Sequence, residues 1–451
     1  MISNVHIENI GPIKNAKIQF GALNLLCGKN NTGKTYIGYS IYGIMKYLID
    51  EFFHSVSEKI ILEYINKKIP NYDSAKSLVF DLDVHFEEMN ILITNSMNQS
   101  FSEKLKVNLG KCFGTNPEEF INSKIVFFLE AQKEKLSLIG LSHTFLTVIK
   151  KTYMVIRKEK GSLKLSIDLF LEELTETEYY QTNIYQEISD FFNSLFATFY
   201  TKSLFFLPAE RNTIQLFQKE LDRLYLKNRT GKESAFSAPF EDFMDFHRDI
   251  DQMAKENSYL YKNHPDLINY LEEMLGVDFL LIDGKTMVSE KKTGIVIPHY
   301  MASTSVRSLS SLHFWLKHRA QKDSVLMIDE PELNLHPENQ VKIARLLVRL
   351  VHAGIQVWIS THSDYIVKEI NNMLMLSGQY LGKKELMKKL SYGEDEILPR
   401  DLLRAYLVKQ DGIEKVEFDD YGMITTTFDD AITDINNITT EIIEAIENSK
   451  G

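Results

Sequence analysis

The chain has 451 residues, 44% of them hydrophobic and 25% charged, and a formal net charge of -11. This length and apolar content support two or three compact lobes and exclude a disordered chain. The negative balance excludes a surface that is basic throughout, so nucleic acid could be met only by local strips such as "KKTYMVIRKEK" (150–160).

Two cysteines, Cys27 and Cys112, and an N-terminal stretch with no signal-peptide h-region fit a reducing cytoplasm. No charge-free apolar run reaches the roughly 18 residues of a membrane span, so no membrane partner is expected. Residues 1–27 read as strands: "SNVHIENI" alternates, Gly11-Pro12 turns the chain, "KNAKIQF" returns, and "ALNLLC" is a short buried run. A polar loop, "GKNNTGKT" (28–35), follows, and 36–66 reads as helix. Residues 75–200 mix short strands ("SLVFDLDVHFEE", "YMVIRKEKGSLKLSIDLFL") with helical patterns and read as an inserted lobe.

"SLFFLPAERN" (203–212) is a buried strand stopped by Pro208. A charged helical stretch over 213–274, broken near 229–239, leads to "VDFLLIDGKTMVSEKKTGIVIPHY", a meander with turns at Asp283-Gly284 and Lys292 to Gly294. Residues 305–320 read as helix, "SVLMIDE" (324–330) as a buried parallel strand, 338–353 as helix and "IQVWISTHS" (355–363) as another buried strand. After 364 the chain reads as mostly helical, with a small sheet at "IEKVEFDDYGMITTT". Strand, helix, strand without hairpin turns implies an α/β fold around a parallel sheet.

Three stretches carry chemistry. Gly28, Lys29, Asn30, Asn31, Thr32, Gly33, Lys34 and Thr35 fit G-x-x-x-x-G-K-[ST], placed between a predicted strand and a predicted helix. Glycines let backbone N–H groups turn onto phosphate oxygens, and the helix adds its positive N-terminal end. Lys34 would reach the β- and γ-phosphates of ATP, and the Thr35 hydroxyl would take a place on Mg²⁺.

In "SVLMIDEPELNLHP" an apolar strand delivers two carboxylates at its C-terminal end, where open parallel sheets bind ligands. Asp329 is placed to hold Mg²⁺ through water, and Glu330 to polarise the attacking water. Glu332 reads equally well as a solvated turn residue. In "QVWISTHSDYIV", His362 shares the sheet edge of Asp329 and Glu330 if the two strands are neighbours, and could there hydrogen-bond a γ-phosphate oxygen. The other histidines show no metal-ligand spacing.

The order "IENIGPIKNAKIQFGALNLLCGKNNTGKT", "LPAERN", "MASTSVRSLSSLHFWL", "LMIDEPELNLHP", "ISTHSD" resembles the ABC-type ATPases of the AAA-15/OLD-like group, relatives of RecF and SMC heads. The resemblance implies an ABC/SMC-like P-loop NTPase head, α/β with a mixed sheet core and an inserted helical and α+β lobe. It divides the chain into an N-terminal half-core (1–45), an inserted lobe (46–200), a return strand (201–212), a helical insertion (213–275), a C-terminal half-core (276–370) and a helical, small-sheet extension (371–451). "MASTSVRSL" stands where the family's signature lies, so Ser303, Thr304 and Ser305 would face the γ-phosphate bound on a second subunit, which implies a homo-oligomer. The same serines read equally well as a helix cap. Arg211 could contact phosphate or pin its turn by pairing with Glu210.

OLD-type proteins carry a Toprim nuclease, which needs a Glu and an Asp-x-Asp; the stretch after Ser363 holds no Asp-x-Asp, so no nuclease site is expected in this chain. Stand-alone ATPases of this layout resemble the ATPase subunits of Septu-type and, less closely, PARIS-type antiphage systems, which hold a separate HNH-type or Toprim nuclease. The resemblance therefore implies an oligomeric ATPase that restrains a nuclease partner. A RecF- or SMC-like head that clamps DNA is the alternative, and a slow nucleotide switch outside any nucleic-acid context is a third.

Overall fold

The computed structural model describes residues 2–55, 64, 77–130, 141–146, 152–170, 187–188, 190–191, 195, 202–228, 236–282, 285–410, 412–419 and 421–424. Strands β1 (Ile2–Ile10), β2 (Ile13–Gln19) and β3 (Leu23–Cys27) precede helix α1 (Lys34–Ser55). Then come β4 (Ser77–Asp81), α2 (Leu82–Phe113), β5 (Lys124–Leu129), β6 (Leu141–Leu146), β7 (Thr152–Lys158) and β8 (Lys164–Leu169). Strand β9 (Leu204–Leu207) is followed by α3 (Arg211–Asn228), α4 (Ala238–Arg248), α5 (Ile250–Met253), α6 (Tyr259–Asn263) and α7 (Pro265–Leu275). The chain continues through β10 (Val277–Ile282), β11 (Lys285–Glu290), β12 (Val296–Pro298), α8 (Thr304–His318), β13 (Val325–Asp329), α9 (Pro337–His352) and β14 (Gln356–Thr361). Helices α10 (Asp364–Met375) and α11 (Lys383–Leu390) lead to β15 (Leu403–Lys409) and β16 (Gly412–Lys415).

Two compact units result. The smaller comprises Met1–His6, Gly43–Asn108 and Lys124–Lys202, and holds an antiparallel sheet in the order β4-β8-β7-β6. Strand β4 ends at Asp81, whose carboxylate accepts from the Asp83 N–H at 2.9 Å and so caps the next segment. "DVHFEE", expected within a strand, is therefore helical. Its apolar residues Phe86, Met89, Ile93, Met97 and Phe101 recur at helical spacing and are buried on one face of α2.

The larger unit comprises Ile7–Tyr42, Leu109–Ser123 and Ser203–Gly451. Its sheet runs β2-β16-β15-β3-β14-β13-β9. Strands β15, β3, β14, β13 and β9 are parallel to one another in that order, and β16 pairs antiparallel with β15. The expectation of an α/β fold with a mixed sheet core therefore holds. Helices α7, α8, α9 and α10 bury apolar faces in this unit's core, with Leu271, Leu312, Leu347 and Ile370 fully enclosed and the Phe205 and Trp315 rings stacked 5.2 Å apart. Such continuous apolar strands are what a sheet covered by helices demands.

Register places the chemistry. Asp329 lies opposite Ser360, Ser360 opposite Leu26, and Ile328 opposite Leu207. The loop after Cys27, the acids after Ile328, the residues after Thr361 and the turn after Leu207 thus leave one carboxyl edge of a parallel sheet, the usual ligand position of such sheets.

One further expectation changes. Strand β15 sits inside the core sheet between β3 and β16, in the stretch 371–451 that the sequence read as a helical, small-sheet extension. Its pairing with β3 on one side and β16 on the other overrides the helical propensity of "LRAYLVK", and the Tyr406 hydroxyl locks it by accepting from the Gln19 N–H (2.7 Å) and donating to the Gln19 carbonyl (2.9 Å). The meander of β10, β11 and β12 forms as expected, but its Asp283-Gly284 turn, the helical reading over 56–63 and 65–66, and the tail from 425 onward lie outside the described residues. Among the described residues no helix is long and apolar enough to cross a membrane.

Candidate functional site

Strand β3 delivers the chain to Gly28, where the backbone turns through positive φ at Gly28 (149°), Asn31 (63°) and Gly33 (101°). Asn is among the few side-chain-bearing residues that tolerate this region. The two glycines are required by contact as well. A Cβ at Gly28 would lie 2.5 Å from the Val408 carbonyl oxygen of β15, and one at Gly33 would lie 2.6 Å from Ile13 Cδ1. Lys34 folds back over the loop, its ammonium donating to the Gly28 carbonyl (2.9 Å) and the Lys29 carbonyl (2.8 Å). Thr32 donates to the Lys29 carbonyl at 2.9 Å. The Ile37 N–H bonds the Gly33 carbonyl (3.1 Å), so helical bonding starts within the motif. Lys29, Asn30, Asn31 and Thr35 are exposed while Lys34 is buried; burial pulls the ammonium's pKa down, against the charges of Glu330, Asp329 and Glu332.

Asp329 ends β13 with both carboxylate oxygens engaged. Ser360 of β14 donates to one, and the Thr35 hydroxyl donates to the other at 3.1 Å. Glu330 sits at φ 52°, a left-handed conformation that a Glu holds only under surrounding constraint. Its N–H bonds the Ser360 carbonyl at 2.9 Å and its carbonyl accepts from Arg211 at 2.8 Å. Its carboxyl is pushed up in pKa, first by burial and then by the charge of Asp329, with His362 opposing. His362 Nδ1 stands 3.5 Å from Glu330 and 3.3 Å from Glu332, so a bond from this ring to a ligand falls to Nε2.

Glu332 corrects the solvated reading, since it is only 6% exposed. One oxygen accepts from the Thr361 hydroxyl and the His362 N–H, both at 2.8 Å, and the other is buried without a hydrogen-bond partner. The carboxylate thus fixes the end of β14 and the position of His362.

Arg211 follows neither expected course. It is 1% exposed and its donors go to the Ser308 carbonyl and hydroxyl and to the carbonyls of Pro208, Asp329 and Glu330. Burial pushes its pKa down to about 10, leaving it charged at neutral pH.

The candidate signature serines start α8. Ser303 caps the helix, accepting from the Val306 N–H at 3.4 Å, and lies 3.1 Å from the Ser305 hydroxyl. Ser303 and Thr304 are exposed and Ser305 half-buried, beside Tyr300 (65% exposed) and Met301 (63%). Among the described residues no hydrogen bond joins them to the loop 28–35. The cap is real, and the helix N-terminus is open to solvent.

A cradle of inward-turned backbone, a buried lysine arched over it, and a hydroxyl facing a carboxylate fit a nucleoside triphosphate with a hard divalent cation. Thr35 and Asp329 alone are too few ligands for an all-protein cation cage, which suits an ion that also takes phosphate oxygens. Fold and loop together define a P-loop nucleotide-binding protein.

Residues 1–367 match the AAA ATPase domain family, and the chain belongs to that family. The matched span includes the loop, both acids and His362. Three solved structures are similar at low identity. One is a crystal structure of the SmcHead bound to the C-winged helix domain of ScpA (11% identity, 92% of this chain and 97% of that chain, TM-score 0.34). The second is the SMC head domain from Thermotoga maritima (11%, 92% and 99%, 0.31). The third, from Pyrococcus furiosus, is an Smc head domain with an extended coiled coil bound to the C-terminal domain of ScpA (12%, 97% and 99%, 0.32). No curated protein sequence matches the chain.

Proposed function

We propose that this chain hydrolyses ATP to ADP and phosphate at a site completed by a second copy, and that it is an ABC-type member of its family. The observation that carries the reading is the meeting of Thr35, Asp329, Glu330 and His362 at one sheet edge. Lys34, freed from the loop carbonyls, offers its charge to the β- and γ-phosphates. Mg²⁺ held by Thr35 and Asp329 would supply further neutralisation of phosphate charge. A water oxygen bonds to the γ-phosphorus as the bond to the β–γ bridging oxygen breaks, and the water's proton passes to the Glu330 carboxylate. The raised pKa of Glu330 suits a proton acceptor working near neutrality.

The exposed start of α8 supports the trans role of Ser303, Thr304 and Ser305: a solvent-facing helix N-terminus lined with hydroxyls is a ready partner for a phosphate on a second copy. Beyond hydrolysis, we infer an oligomeric regulator that holds a separate nuclease in antiphage defence; the resemblance to Septu-type ATPase subunits supports this step. Glu330→Gln tests the chemistry: the variant should bind ATP and stop turning it over, and normal turnover would refute the assignment. Purification with the proteins encoded beside it tests the role, since a nuclease retained in an ATP-dependent complex supports it. Salt-dependent DNA binding by the isolated protein would favour a clamp instead.

A further inference from the structure

Arg211 opens α3 directly after β9 and makes contacts that its local sequence does not announce. Nε donates to the Ser308 carbonyl (3.1 Å) and hydroxyl (2.9 Å), Nη1 to the carbonyls of Pro208 (3.0 Å) and Asp329 (2.9 Å), and Nη2 to the carbonyl of Glu330 (2.8 Å). Every acceptor is neutral. The cation is therefore held by the dipoles of three segments, with Asp329, Glu332, Glu330 and Glu210 offsetting its charge through space. A guanidinium suits this task because its planar fork presents five donors in fixed directions, which a lysine ammonium lacks.

Two of the three segments matter for the reaction. Ser308 lies about one helical turn beyond Ser305 in α8. Glu330 is held at φ 52° by one bond on its N–H, to the Ser360 carbonyl, and two on its carbonyl, from the Leu333 N–H (3.1 Å) and from Arg211 (2.8 Å). Helices α3 and α8 are also joined by Gln215, whose amide donates to the Ser311 hydroxyl at 2.7 Å, and His247 Nε2 lies 2.9 Å from the same hydroxyl. Movement of α8 along its axis would therefore load its bonds to Arg211, and Arg211 ends on the backbone of the residue that accepts the proton.

We propose that Arg211 is a positioning residue: it fixes the strained backbone of Glu330 and ties it to α8, so that a second copy meeting the start of α8 is felt at the water-activating carboxylate. This rests on Glu330 being the proton acceptor. Arg211 shares no hydrogen bond with Lys34 or the loop carbonyls, and it meets Asp329 at the backbone carbonyl and not at the carboxylate, so its effect on ATP affinity is expected to be small.

The test uses the full-length chain with Arg211→Lys, Ser308→Ala, Glu330→Gln and the Arg211→Lys/Glu330→Gln pair, measuring kcat and equilibrium ATP affinity for each. Because a displacement of about 1 Å at a catalytic group can cost up to ~100-fold, Arg211→Lys should lower kcat by at least about tenfold, while ATP affinity stays within about twofold. Because Glu330→Gln is inert, the double variant is read by ATP affinity, which should match that of Glu330→Gln within about twofold, and a weaker affinity overturns the proposal. A kcat within about twofold of the parent, or a loss of ATP affinity in step with kcat, overturns the proposal. Should Arg211→Lys fail to fold, Ser308→Ala carries the test: it removes the hydroxyl that accepts from Arg211 and itself donates to the Leu333 carbonyl (3.3 Å), and a kcat unchanged from the parent overturns the proposal equally. Normal turnover by Glu330→Gln would instead remove the proton-acceptor assignment itself. Inert Glu330→Gln beside unaffected Arg211→Lys would remove the strut alone.

Discussion

Replacing Gly28 by Ala probes the fit between the loop and the sheet. The added methyl would stand 2.5 Å from the Val408 carbonyl oxygen and 3.4 Å from the Thr32 hydroxyl. A carbon and a carbonyl oxygen ordinarily approach to about 3.3 Å, so roughly 0.8 Å must be found. Val408 cannot easily yield it, because β15 is paired on both sides, to β3 and to β16. A side chain at φ 149° adds backbone strain of about 1 to 3 kcal/mol, and overpacking adds about 1 to 3 kcal/mol. The sum, about 2 to 6 kcal/mol, appears as lost stability if the loop stays in place, or as lost affinity if it swings from β15 and carries the Gly28 carbonyl away from Lys34. Even the lower bound is a weakening of about 30-fold in ATP dissociation constant if it falls wholly on binding. Titration calorimetry with ATP and thermal unfolding of the same sample separate the two. Gly38→Ala is the control: Gly38 lies within α1 with nothing inside 4 Å of an added Cβ, and alanine there should stabilise by about 0.4 to 1 kcal/mol. A Gly28→Ala protein that unfolds at the parent's temperature and binds ATP equally well would refute this packing argument.

Further outcomes follow from the site. Lys34→Ala should abolish nucleotide binding in the same calorimetric assay, because the charge facing the phosphates is gone; undiminished affinity would reject the loop's role. Glu330→Gln should accumulate an ATP-bound oligomer visible by light scattering, whereas the parent returns to its starting size as ATP is consumed. Glu330 must be ionised to accept a proton and its pKa is raised, so kcat should fall as pH is lowered through a midpoint above the ordinary 4.5 of a glutamate. A kcat that stays level as pH falls through the range from neutrality to 4.5 would show that the proton acceptor is a different group.

The chemistry of this site was readable where it is local. "GKNNTGKT", "MIDE" and "STHS" each follow an apolar run that is a strand by composition alone, and parallel register then brings their ends together. What could not be read depends on residues far apart in the chain. Glu332 sits in "EPELN", which has the composition of a solvated turn; its burial comes from the Thr361 hydroxyl and His362 N–H carried alongside by β14. Arg211 looks like a surface residue after Pro208, and only the approach of α8 and the end of β13 shows where its donors go. Five of the seven residues of β15 (Leu403, Arg404, Ala405, Leu407 and Lys409) are good helix formers, and their extended state is imposed by neighbours on either side. In α2 the difference ran the other way: "SLVFDLDVHFEE" reads as one strand, but the Asp81 cap ends the strand and the apolar residues from Phe86 onward recur at helical spacing.

The claim that ATP is held between two copies is tested most directly by mixing two inactive proteins. Lys34→Ala removes the phosphate-binding loop's charge, and Ser305→Arg blocks the start of α8. Each alone should be inactive. After equal amounts are mixed and allowed to exchange subunits, half the dimers pair one variant with the other, and each such dimer contains one intact site, so the account predicts recovery to about a quarter of the parent rate. A mixture that stays as inactive as its components, or a Ser305→Arg protein that hydrolyses ATP at the parent rate, would contradict it.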